Sequence, residues 1–135
     1  MIKWSILIPS LFVIAIAPTL SLLKTLGLAS DEIRLLEQGL GGDKIVHFSF
    51  GFALMFAMLF ALFSLLRDEL RLRFLPYLWL GIGVLLAFLV DECLQAWSPL
   101  RQFDLMDFAM SALGGTFAWL LFQLARQIYL ERVEL

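Results

Sequence analysis

Four apolar runs, each about as long as a bilayer crossing, decide most of what this chain can become. A span needs about 20 mainly apolar residues, and in hydrocarbon a helix is the way a single segment satisfies its own backbone hydrogen bonds. The runs are Trp4–Leu23, Ile45–Leu66, Phe74–Trp97 and Leu105–Ala125. They predict an all-α, polytopic membrane protein: one domain over residues 1–135, built as a bundle of four transmembrane helices. Composition agrees. The chain is 61% hydrophobic and 16% charged, where soluble domains are roughly 45–50% apolar and about 25% charged.

Several function classes drop out early. A net charge of −2 leaves no basic patch for nucleic acid. With one cysteine, Cys93, neither an internal disulfide nor a thiolate metal site can form. With one histidine, His47, paired-histidine zinc motifs are excluded. No cofactor motif is visible, and no metal site is assigned.

The first span carries Pro9 and Pro18, each a candidate kink. Ala15-Ile16-Ala17 has the small-x-small look of a signal-peptide cleavage site. Pro18 would follow the cut and the apolar run continues to Leu23, so an uncleaved anchor is expected. Between the first two spans, Ser30 reads as an N-cap with Asp31 and Glu32 in the first turn. Ile33, Leu36, Glu37 and Leu40 then read as a short amphipathic helix at the membrane interface, ended by Gly39, Gly41 and Gly42. RDELRLR, Arg67–Arg73, reads as a charged turn, and Arg126–Leu135 as a polar tail.

Polar residues gather at the ends of the later spans. Lys44, His47, Gly51 and Met55 fall along one helical stripe. Glu92 and Gln95 are three apart and share a face. Asp107, Ser111 and Gly114 repeat the pattern, and Ser98-Pro99 predicts a turn bearing Arg101. Charges at such depth are costly, so they are expected to meet inside the bundle. The basic residues orient it. Six of them (Lys3, Arg67, Arg71, Arg73, Arg126 and Arg132) share one side, and four (Lys24, Arg34, Lys44 and Arg101) share the other. The positive-inside rule then puts both termini in the cytoplasm and the polar cluster outside.

The ordered pattern Asp43-Lys44 with His47-Phe48, Glu92-x-x-Gln95 and Arg101-x-x-Asp104-x-x-Asp107 resembles the VanZ-like family of small bacterial membrane proteins. The resemblance runs from about Asp43 to Gly115. Three positions depart from the family's usual residues: Leu100 for a glycine, Ser111 for an asparagine and Ala118 for a glycine. The resemblance implies a multi-pass protein of the bacterial cytoplasmic membrane and cell envelope. The family's founding member is associated with low-level teicoplanin resistance.

Three readings stand side by side. In one, Lys44, Gln95, Arg101 and Asp104 bind an anionic lipid or envelope precursor without chemistry. In a second, His47, Glu92 and Asp107 do acid–base work on such a molecule; a divalent cation on Glu92, Asp104 and Asp107 is the lesser variant of it. In the third, the polar set holds the helices together in a structural or regulatory subunit that meets membrane lipids and another membrane protein.

Overall fold

The computed structural model describes residues 3–28, 30–97 and 103–133. They form α1 (Trp4–Thr25), α2 (Ser30–Gly39), α3 (Asp43–Leu65), α4 (Asp68–Arg71), α5 (Leu75–Gln95) and α6 (Leu105–Val133), with no strand among the described residues. The helices α1, α3, α5 and α6 are long and apolar enough to cross a membrane. The chain is therefore an all-α, multi-pass bundle. The turn expected at Ser98-Pro99, and Arg101 with it, lies outside the described residues.

α3 is the central helix, packed against α1, α5 and most extensively α6. Its core partners are apolar: Met55, Leu59 and Phe63 meet Tyr77 and Val84 of α5 and Ala118 and Phe122 of α6. Large apolar side chains elsewhere point outward, among them Phe12, Trp79, Leu86 and Leu124. In water that would be a fault; against acyl chains it costs nothing, because helix association there rests on packing and not on burial from solvent.

The tightest contact is between α3 and α6. A Cβ added to Gly51 would run into the backbone of Ser111, and one added to Gly114 into the backbone of Phe48. The two helices thus touch through their main chains. Gly81 sits under the Trp119 ring, at 2.9 Å from a would-be Cβ. Gly83, two residues on, faces nothing within 4 Å.

The elements end where local chemistry requires. Gly41 and Gly42 take φ of +101° and +103°, which only glycine adopts without strain, and this turn delivers the chain from α2 into α3. α1 continues through both prolines. Ser10 and Thr19, each directly after a proline, bond back to the carbonyls of Ile6 and Ala15.

Residues 126–133 are not a polar tail, because α6 runs on to Val133. No glycine or proline interrupts the chain there, and Arg126 is buried, donating to the Leu72 carbonyl at 2.9 Å and stacking over Tyr77. Arg71, in the segment expected to be a charged turn, is buried too. Its guanidinium donates to the carbonyls of Phe63 (2.7 Å) and Ser64 (3.2 Å) at the C-terminal end of α3.

Candidate functional site

The up-and-down course brings the N-termini of α3 and α6 and the C-termini of α1 and α5 to one end of the bundle. On α3, Lys44 and His47 lie one turn apart on the face that meets α6, as their spacing requires. Lys44 Nζ reaches Asp104 Oδ2 at 2.5 Å and makes a second, short contact with Asp107 Oδ1. His47 lies deeper. Its Nδ1 is 3.3 Å from Ser111 Oγ, and its Nε2 is 3.5 Å from both Asp43 Oδ1 and Asp107 Oδ2. The two helices can hold these groups together because Gly51, one turn inward, lets their backbones touch.

Two of the acids are engaged structurally. Glu92, buried on α5, accepts the Asp104 backbone N–H at 2.8 Å and so ties α5 to the start of α6. Asp104 accepts the Met106 N–H at 2.8 Å, an N-cap for α6. The hydrogen bond from Lys44 and that cap hold the Asp104 carboxyl below the usual carboxylate range. Glu92 therefore acts more as a helix-end partner than as an open acid.

Gln95 is as buried as Glu92 but joins a different partner. Its Nε2 donates to Asp91 at 2.9 Å, and Asp91 also accepts from Ser21 of α1. The Gln95 Oε1 is buried with no hydrogen-bond partner among the described residues. Asp91 thus links α1 and α5. A second link joins α1, α2 and α3: Lys24 contacts Glu37 and lies 3.5 Å from Asp43. The i,i+4 spacing of Asp43 to His47 and of Asp91 to Gln95 was the available signal for the two missed acids.

Lys44, His47, Glu92, Asp104 and Asp107 form one connected set, extended by Asp43 and Ser111. Gln95 belongs to the neighbouring Asp91 pair. Arg101 falls outside the described residues. The fold and this cluster define a multi-pass helical membrane protein with a built polar end. No family model, curated protein or solved structure matches the chain.

Proposed function

We propose that this chain is a VanZ-like protein of the bacterial cytoplasmic membrane, and that the polar end of its bundle binds the anionic headgroup of a lipid or envelope intermediate. The observation that carries the reading is Lys44. Its side chain is 41% exposed, and it stands in the first turn of α3, whose N-terminus no side chain caps. A helix N-terminus with open N–H groups favours an anion, and the N-terminus of α6 lies alongside. Lys44 is shared by an inner and an outer carboxylate, the Asp107 side chain 10% exposed and the Asp104 side chain 46%, and Asp104 keeps its cap on α6 through its other oxygen. A phosphate can take the place of Asp104 without unmaking the inner pair.

Wild-type protein purified in a mild detergent is expected to retain an anionic lipid or phosphorylated intermediate in native mass spectra. Lys44→Met should lower that retention at least tenfold, while Asp31→Asn, on the exposed face of α2, should not. Equal retention by Lys44→Met and wild type would overturn the reading, as would the absence of any anionic species from both.

Orientation is tested separately. With both termini cytoplasmic, reporter fusions after Arg73 and after Arg101 should report inside and outside respectively. An outside signal after Arg73 would move the polar end to the cytoplasmic leaflet.

A second reading, acid–base catalysis on the same headgroup, is favoured by His47 alone, with one ring nitrogen on a hydroxyl and the other between two carboxylates. It separates from simple binding through His47→Gln, which would abolish turnover and leave lipid retention intact.

A further inference from the structure

His47 Nε2 stands 3.5 Å from a carboxylate oxygen on each side. That is too long for an N–H···O hydrogen bond, whose usual range is about 2.7–3.2 Å. A single proton on Nε2 could in any case serve only one of them. The spacing has another natural occupant. Around a tetrahedral zinc, nitrogen and oxygen ligands lie about 2.0–2.2 Å from the metal, which sets them roughly 3.3–3.5 Å from one another. Ligand atoms of Asp43, His47 and Asp107 all fall within 4.8 Å of one another.

We infer that Asp43, His47 and Asp107 form a site for one first-row transition-metal dication. Asp43 and His47 come from one face of α3 at i,i+4, and Asp107 comes across from α6. The surroundings suit each ligand. Ser111 Oγ, 3.3 Å from Nδ1, stands at the edge of hydrogen-bonding reach, where it can accept the Nδ1 proton and leave the Nε2 lone pair for the metal. Lys44 holds Asp107 by Oδ1 and so turns Oδ2 toward the histidine. Lys24 lies 3.5 Å from Asp43 but makes its close contact with Glu37, so it can give way.

One imidazole and two carboxylates suit zinc, and this set is too poor in oxygen for calcium, which takes six to eight oxygen ligands. Three protein ligands leave a fourth position. Asp43 is the open edge of the set, its side chain 42% exposed against 17% for His47 and 10% for Asp107, so a fourth ligand would enter from there. Of the three acids weighed from the sequence, Glu92 and Asp104 are not in the set: Glu92 accepts the Asp104 N–H, and both Asp104 oxygens are engaged, one by the Met106 N–H and the other by Lys44. The inference stands on this geometry and does not depend on headgroup binding.

The test uses the full chain in detergent, without a histidine tag, and in a Cys93→Ser background because Cys93 is exposed. Protein stripped with a chelator, reloaded with zinc and desalted should carry one zinc per chain by elemental mass spectrometry. Zinc should raise its melting temperature, and magnesium should not. Cobalt should give the visible bands of a tetrahedral site. His47→Gln and Asp43→Asn should each lose the metal and the bands, and Ser111→Ala should weaken zinc about 10–100-fold. Asp31→Asn should change nothing. Substoichiometric zinc in the wild type, or full zinc in a monodisperse Asp43→Asn or His47→Gln protein, would overturn the site.

Discussion

Gly51→Leu and Gly114→Leu should each leave no monodisperse folded protein, and Gly114→Ala alone should lower the melting temperature markedly. At both positions the atoms in the way are backbone: Ser111 opposite Gly51, and Phe48 opposite Gly114. A side chain can rotate out of a clash, but a helix backbone can yield only by moving the whole helix. Overpacking usually costs about 1–3 kcal/mol, sometimes more. Here the upper end or beyond is expected, since separating α3 from α6 also opens the Lys44–Asp107 and His47–Ser111 contacts. Gly83→Ala is the control. Nothing lies within 4 Å of its Cβ, and helix propensity favours alanine by up to about 1 kcal/mol. The melting curves and elution profiles of the four variants check the claim. A Gly114→Leu protein that melts with the wild type would show that α3 and α6 do not touch as described.

The spans were legible because length and apolarity act directly on a membrane helix, with little help from tertiary context. Their ends were less so. Reading α6 as stopping at Arg126 treats a charge as the edge of the span, yet that arginine is buried and satisfied by Leu72 and Tyr77, partners some fifty residues away in sequence. Arg71, which the sequence offered only as an orienting charge, was hidden differently: its partners are close in the chain, but they are the Phe63 and Ser64 carbonyls, which side-chain patterning does not register. Helical spacing did place Lys44 with His47 and buried Glu92 with Gln95. It could not show that Gln95 turns to Asp91, because a face of a helix is wide enough for two acids.

Asp43 shows the limit most clearly. It stands one turn before His47 on α3, so its approach to the ring follows from spacing, but spacing could not show that Asp107 of α6 comes to the same ring nitrogen. Pairings inside one helix follow from spacing. Pairings between helices depend on how close the backbones come, and that distance is set by Gly51 and Gly114 together.

The largest loss of stability without any change at the polar end should come from Arg71→Met. The last carbonyls of a helix have no partner within it. At the end of α3 those of Phe63 and Ser64 are met by the Arg71 guanidinium, which also lies over the Phe63 ring with its centre 5.4 Å from the ring centroid. Methionine fills much of the same space and donates nothing. Each buried carbonyl left unsatisfied costs about 1–3 kcal/mol, so the pair should cost roughly 2–6 kcal/mol. Arg71→Lys should fall between, because a single ammonium lacks the planar fork that reaches both oxygens.

The ion pair with Asp68 is not the source of the effect. That carboxylate is 83% exposed, and exposed pairs are worth about 0–1 kcal/mol, so Asp68→Asn should barely move the melting temperature. Because Arg71 sits at the opposite end of the bundle from Lys44 and His47, the Arg71→Met protein that does fold should retain lipid per molecule as the wild type does. If Arg71→Met and Asp68→Asn melt alike, the arginine does not cap α3. If Arg71→Met loses lipid in proportion to its folded fraction only, the two ends of the bundle are independent, and stability and binding can be read apart.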